Sequence, residues 1–472
     1  MLSLSSLHVL GCVVVRIWVA CDVYPLLGCS STLLALSLLG QMMSKNPANQ
    51  IRIQGTVAPG FESVKTLYAR NMQTLAERDT QLCVYHQGEK VVDLWASTDA
   101  NANFSADSLI NVFSSGKSLE ALAMASLVSK GLLDYQAKVA DYWPEFGANG
   151  KSELTVAELM RHEAGLAALN ESIKADDLLT ANIKQNKIGR IIENHEQTFR
   201  LGSAREYHAV TRGWIVNEVF RRLDPAGRTI GEFLREDISQ PLGVDAFIGV
   251  RQEELSRRVK VSVLNLRFQL KESLKPKFLH RKMEHNIFQT LHRLIQVIPA
   301  IRRGTGRGAP PPFAGMDRIA FFNEPAIAMG ETPSANANCS ARGLAKIAAM
   351  LAGGGQWEGA QYLTEQAWQA LHGDPVEAPM GIAATTFTQG GVARFARPKQ
   401  YNTKLDHALN VGREGFYGWM GLGGSIFQWH PQANIGFGYV PTSLNVLDLY
   451  NERGKTYQAE VLKCLDNLSA AS

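Results

Sequence analysis

The stretch Val112–Leu119, "VFSSGKSL", decides how the rest of the chain is read. It sets a lysine three residues after a serine, at the mouth of a run whose apolar residues recur at Leu119, Leu122, Ala123 and Leu127. That spacing predicts a helix with one buried stripe, and it puts Ser114 and Lys117 one turn apart on the same face. A lysine turned toward a core-side serine has to be desolvated or partnered, and desolvation lowers its pKa toward the range of a general base. Such a base would activate a serine hydroxyl, which is a poor nucleophile by itself. The plain reading competes: Ser114 or Ser115 caps the helix and Lys117 points to water. The tetrad alone favours the plain reading, so the decision falls to the rest of the chain.

At 472 residues, 45% hydrophobic and 19% charged, the chain can bury a large core, as one big domain or two intimate ones. Wholesale disorder is excluded. A formal net charge of +4 over this length is weak and points to no nucleic acid or other polyanionic partner. The six cysteines form no CxxC pair and no Cys/His cluster, so neither a zinc site nor a disulfide framework is indicated, and no metal or cofactor is implied. Cys83, Cys339 and Cys464 sit in apolar contexts where buried free thiols are usual, which is compatible with a reducing compartment.

Residues 1–43 differ from the body. They are apolar and nearly uncharged, and Arg16 and Asp22 interrupt two runs that each fall short of the about 18–20 residues a spanning helix needs. Three readings stand: a signal, an anchor, or an untranslated extension with the true start at Met42 or Met43. The last makes the protein cytoplasmic; the others make it exported or membrane-anchored. All three exclude the leader from the fold.

"FESVKTLYARNM" from Phe61 has helical spacing, and "QLCVYHQGEKVVDLWAS" reads as a hairpin around Gly88. Near the other end, "GGSIFQWHPQANIGFGYVPT" repeats the hairpin pattern around Pro431 and Asn434, and a helix follows. Hairpins at both ends with helices between predict an α/β (α+β) fold: one antiparallel sheet assembled from the two termini, flanked by helices, with a mostly helical region inserted. The helical segments are "SLEALAMASLVSKGLL", "TVAELMRHEAGL", "HAVTRGWIVNEVFRRL" and "SARGLAKIAAMLAGGG". An odd basic insertion occupies about 256–312. Within it Ile287, Phe288, Leu291, Leu294, Ile295 and Ile298 make an amphipathic helix, read either as packed on the body or as a substrate lid or membrane-surface contact.

After "VFSSGK" come "LTVAELMRHEAGL", "GSAREYHAVTRGWIVNEV" and "FYGWMGLGGSIF", in that order. The ordered set, over roughly residues 55–465, resembles the serine β-lactamase-like superfamily, which holds class C β-lactamases, D-Ala-D-Ala carboxypeptidases and family VIII-like esterases. The resemblance reverses the reading of the tetrad. It implies that Ser114 is acylated and that Lys117 and Tyr207 share the task of taking its proton. The oxyanion hole it implies is the pair of backbone amides of Ser114 and Leu422, indifferent to side chain. Two departures from the lactamase pattern stand out, and the first looks like the esterase-like branch. Tyr207-His208-Ala209 keeps the tyrosine but not the asparagine of the lactamases, and Trp419-Met420-Gly421 puts an indole where they carry a cationic lysine. An indole cannot neutralise a substrate carboxylate. Trp419, Gly421, Gly423, Gly424 and His208 are read as the substrate-binding surroundings; glycines there let backbone approach a ligand at a strand edge. His208, one residue past the tyrosine, would point about 100 degrees away if both lay on a helix, so it is read as supporting rather than as a base. Arg161 and His162 are read as structural. These residues predict a serine hydrolase acting on small-molecule esters. A β-lactamase-like or carboxypeptidase-like amide hydrolase is the nearer rival, and a non-catalytic assembly module of the same fold the farther one.

Overall fold

Both ends of the chain build one nine-stranded antiparallel sheet in the computed structural model, which describes residues 51–99, 102–198, 204–304, 309–401 and 403–471. The leader read over residues 1–43 lies outside them. The N-terminal side supplies β1 (Arg52–Val57), β2 (Asp79–His86) and β3 (Glu89–Ser97). The C-terminal side supplies β4 (Val376–Met380), β5 (Ala383–Phe387), β6 (Ala393–Arg394), β7 (Tyr417–Met420), β8 (Ile426–His430) and β9 (Ile435–Pro441). Their order is β1-β3-β2-β9-β8-β7-β6-β5-β4. The two halves meet where β2 pairs with β9, from His86 opposite Ile435 to Thr80 opposite Pro441. Both expected hairpins are present. Gln87 and Gly88 carry positive φ of 52° and 83°, the backbone that a two-residue turn needs to match strand twist.

The seven longer helices relevant here are α1 (Glu62–Thr74), α2 (Lys117–Ser129), α3 (Thr211–Leu223), α4 (Leu266–Leu274), α5 (Ile287–Gly304), α6 (Ala341–Ala352) and α7 (Glu452–Ala471). One sheet face packs on α1 and α7, burying Val64, Tyr68, Tyr457 and Val461 against Leu82, Val84, Phe437 and Tyr439. The other face packs on α6. A Cβ on Gly436 would lie 2.3 Å from the Ala349 nitrogen, and one on Gly438 2.5 Å from the Ala341 oxygen. The alternation of "IGFGYV" is thus a sheet strand with large residues toward α1 and α7, and bare backbone toward the alanine-rich α6. Beyond α6 lies the second core, built around α2 and α3.

Two expectations need correcting, and a third is refined. The run after Lys117 has no single buried stripe: Lys117 through Leu127 are all buried, because α2 passes through the middle of the helical region. "TVAELMRHEAGL" is helical only over Val156–Met160: a Thr155–Glu158 capping box starts it, the Arg212 guanidinium takes the Met160 carbonyl at 2.9 Å, and His162 turns left-handed at φ 68°. The amphipathic helix of the basic insertion is real, but its apolar face is turned outward, since Phe288 is 80% exposed while Thr290 and Arg293 are buried. The base of that insertion is pinned by Ser262–Val263, which pairs in parallel with Ser443–Leu444. Cys83, Cys339 and Cys464 are buried free thiols. Among the described residues, no helix is long and apolar enough to cross a membrane.

Candidate active site

Ser114 sits on a sharp turn. Phe113 adopts φ 48°, a left-handed backbone that is strained for a bulky residue, and its amide donates to Asn111 Oδ1 at 2.9 Å. A 3-10 turn over Phe113–Gly116 then leads directly into α2. In a 3-10 turn residues i and i+3 eclipse, which is the physical reason a three-residue spacing stacks Lys117 on Ser114. Ser114 is half-buried and Lys117 is 1% exposed, so the plain reading of a lysine in water does not hold. Neither Ser114 nor Ser115 caps the helix with its side chain.

The lysine ammonium nitrogen lies 3.3 Å from Ser114 Oγ and donates to two carbonyls, Ala209 at 2.7 Å and Ser334 at 3.0 Å. Burial pushes its pKa well below the ordinary lysine value; Glu120 opposes that shift and Arg212 adds to it. A neutral amine with two N–H groups held by carbonyls has its lone pair left for the third direction, which is Ser114. This geometry can receive a proton from the serine hydroxyl.

Tyr207 approaches from the other side. Its hydroxyl stands near enough to Ser114 for the serine hydroxyl to lower its pKa, it accepts from the Trp419 indole Nε1 at 2.9 Å, and Lys117 Nζ stands 4.9 Å from its ring centre. Burial raises the phenol pKa, and the bonds from Ser114 and Trp419 pull it back down. Trp419 is therefore more than a packing residue: the indole cannot carry charge, but it donates to the oxygen that would. Its own amide donates to Ser118 Oγ at 3.1 Å, one residue past Lys117, and its ring stacks on Phe395.

The turn between β7 and β8 carries Gly421, Leu422, Gly423 and Gly424. Gly421 donates to the Ser425 carbonyl at 2.9 Å, and a Cβ on it would lie 2.1 Å from the Val112 carbonyl oxygen. Ser425 Oγ donates to that same carbonyl at 2.7 Å and shares a 3.0 Å hydrogen bond with Ser115 Oγ. These contacts clamp the turn at Leu422 beside the serine turn. Leu422 itself is 40% exposed, and the Gly423 and Gly424 φ angles of 78° and 135° complete the bend. Two backbone amides on adjacent tight turns are a suitable donor pair for a carbonyl oxygen.

His208 does not face the groove, which corrects its placement among the substrate-binding residues. The helix α3 starts only at Thr211, so a helical rotation is not what turns it away. The ring is fully buried: Nδ1 meets the Glu206 carbonyl at 2.6 Å and Nε2 accepts the Leu166 amide at 2.9 Å. Burial lowers its pKa to about 4, keeping it neutral. His162 Nδ1 accepts the His208 amide at 3.1 Å and packs its ring 4.9 Å from that of Tyr207, so the two imidazoles brace the tyrosine. Arg161 pairs with Glu163 at 3.1 Å, away from the serine.

The sequence reading missed the ion pair beneath the site. Arg212 and Glu120 are both fully buried and 3.0 Å apart, and the guanidinium also donates to the carbonyls of Lys117, Met160 and Gly391. One signal was available: Glu120 is an acid inside an otherwise apolar run, one turn after Lys117. The Ser115, Ser118 and Ser425 clamp had no comparable signal, because it joins positions about 300 apart. Among the described residues no group of three or more His, Cys, Asp or Glu side chains is arranged to hold a metal.

The chain as a whole is similar to known proteins. The chain is 28% identical over 407 residues to the esterase/beta-lactamase LipL of Mycobacterium tuberculosis (strain ATCC 25618 / H37Rv), covering 83% of each. Its structure superposes on that of a penicillin-binding protein homologue from Caulobacter crescentus with a TM-score of 0.68 at 25% identity, covering 88% of this chain and 100% of that one. A family VIII carboxylesterase matches with the same TM-score and coverage at 26% identity. Residues 65–459 match the family model described as Beta-lactamase, and with the sheet, the serine turn and the ordered motifs all accounted for, the chain belongs to the beta-lactamase family of hydrolases.

Proposed function

We propose that this protein is a serine hydrolase that cleaves small-molecule esters through an acyl-enzyme on Ser114. The observation that carries the reading is the convergence on one hydroxyl of a buried lysine at 3.3 Å and a tyrosine that is itself held by an indole N–H. Ser114 Oγ attacks the ester carbonyl while Lys117 and Tyr207 take its proton. Charge collects on the carbonyl oxygen, where the amides of Ser114 and Leu422 receive it. Collapse breaks the bond to the alkoxide, which leaves with the proton held by the pair. A water molecule then attacks the acyl carbon by the same route reversed, releasing the acid and restoring the Ser114 hydroxyl.

Esters are favoured over lactams on two grounds. Ala209 has no amide to offer a lactam carbonyl or side chain, and Trp419 brings no charge for a substrate carboxylate. The likeness to a family VIII carboxylesterase supports the same choice, while the esterase/beta-lactamase relative carries both activities in its name. Intact-mass analysis after treatment with an activated fluorophosphonate tests the mechanism: one adduct is expected on the parent and none on Ser114→Ala. Equal labelling of the two proteins removes it. Short-chain activated esters should turn over readily and penicillins or cephalosporins slowly, and comparable rates on both would overturn the choice of substrate.

A further inference from the structure

Exposed apolar surface is concentrated in one part of this molecule. Among the described residues ten large hydrophobic side chains stand exposed, and seven of them fall between Phe268 and Ile295. Phe278 is 79% exposed, Phe288 80%, Leu274 66% and Ile295 62%. Scattered exposed leucines need no explanation, but a concentration of this kind marks an interaction surface.

The two helices of the segment are turned inside out for a structural reason. α4 buries Gln269, Glu272 and Ser273 and leaves Phe268 and Leu274 outside. α5 buries Thr290 and Arg293, whose guanidinium pairs with Glu452 at 2.6 Å and donates to the Leu447 carbonyl at 2.8 Å. Rolling α5 to hide Phe288 and Ile295 would strip that arginine from both partners, so the outward apolar face is locked in place. The connection between the helices exposes Phe278 and Leu279 beside Lys277.

Charge identifies the occupant. Of the seven Lys or Arg between Leu264 and Ile298, Arg293 is buried against Glu452 and Lys275 pairs with Glu272, while Lys271, Lys277 and Lys282 are exposed. Lys271 and Lys277 are exposed in the same stretch as the outward phenylalanines and leucines. Aromatic and aliphatic anchors interleaved with cations suit the boundary between acyl chains and anionic headgroups, where apolar side chains enter and lysines stay at the phosphates. The segment's base adjoins the site: Leu444, paired with Val263, packs so closely on Gly423 that a Cβ there would lie 2.5 Å from it.

We infer that α4, α5 and their connection form a docking element for an anionic lipid surface, seating the protein with the β7–β8 turn next to the membrane. The inference does not rest on the ester reading. The test is cosedimentation of the full chain with vesicles of mixed phosphatidylglycerol and phosphatidylcholine, against phosphatidylcholine alone, with thermal unfolding and a sizing profile for every protein. The parent is expected to pellet with the anionic vesicles and to release as salt rises. The double variants Phe278→Glu/Phe288→Glu and Lys271→Glu/Lys277→Glu, each with the parent's unfolding midpoint, are expected to bind at least tenfold more weakly. Both variants retain residues 1–43, so binding undiminished in the two would assign the attachment elsewhere and overturn the proposal. A parent that stays in the supernatant overturns it too. So does a parent that self-associates through this face, with dissociation in the phenylalanine variant and no vesicle binding by either, which would make the occupant a second copy.

Discussion

The Trp419 indole offers the sharpest test of how Ser114 is activated. Replacing it by phenylalanine deletes one donor, the Nε1–H that reaches the Tyr207 hydroxyl at 2.9 Å, and little else. The bond from the Trp419 amide to Ser118 Oγ is made by backbone and survives, and a phenyl ring can keep the stacking on Phe395 and the contact with Phe387. While the serine proton is in transit, negative charge develops on the Tyr207 oxygen, and a hydrogen bond to a charged group contributes about 1.5–3 kcal/mol. Its loss should lower kcat by roughly 10- to 150-fold, at about 1.4 kcal/mol per factor of ten. The pH profile adds an independent mark. Burial already raises the Tyr207 pKa and the indole bond lowers it, so Trp419→Phe raises it further; with the neutral phenol as the working form, passing its own proton to Lys117 as it takes that of Ser114, the alkaline limb moves to higher pH. The acid limb, set by Lys117, stays in place. The assay is turnover of a short-chain activated ester from pH 5 to 11 in the parent, Trp419→Phe and Trp419→His, the last of which can keep an N–H donor. A phenylalanine variant within twofold of the parent, with both limbs unmoved, would refute the role given to the indole.

Lys117→Ala and Tyr207→Phe should each lower kcat by about 100-fold or more, and the double variant by less than the product, because residues acting as a unit are not additive; ester turnover of the four proteins checks this. In the parent, burial holds the Lys117 pKa well below the ordinary lysine value, so turnover should fall as pH drops through that lowered pKa and the amine gains a proton, with the acid limb well below the pH at which a free lysine titrates; a rate profile against pH checks it. Glu120→Gln leaves the Arg212 guanidinium buried without its carboxylate, which should cost about 3–5 kcal/mol in thermal unfolding. Because Glu120 opposes the lowering of the Lys117 pKa, the same variant should shift the acid limb to still lower pH. Gly438→Val drives side-chain carbon into the Ala341 carbonyl of α6 and should destabilise the fold by about 1–3 kcal/mol or more without altering the pH profile.

What could be read from the sequence was whatever depends on short spacing. The hairpin around Gly88 and the Ser114–Lys117 relation are local, and both are present in the fold. Tyr207 was found by the order of motifs rather than by any contact, since 93 residues separate it from Ser114 and no periodicity links them. Amphipathicity located α5 but not its orientation. The pattern says that two faces differ; which one turns inward was decided by Glu452 and Leu447, more than 150 positions away, which accept Arg293. The same holds for α2. Its helical period was visible, but its burial on every side follows from the layers that close over it. His208 was assigned the right direction for a wrong reason, because the chain at that point is not yet helical and backbone partners, not rotation, hold the ring.

The Ala209 position separates two properties that the family's motif otherwise carries together. A residue there can contribute a side chain to the substrate and a carbonyl to the lysine. The carbonyl bond is made by backbone, and Lys117 takes it at 2.7 Å although the side chain is only a methyl group. Ser334 supplies the second acceptor in the same way, from its carbonyl at 3.0 Å. The orientation of the amine toward Ser114 is therefore independent of which side chains stand at 209 and 334. Changing Ala209 to asparagine should leave the acid limb of ester turnover where it is and alter only which acyl groups are accepted. A shifted acid limb in Ala209→Asn would show that the side chain at this position reaches the base after all.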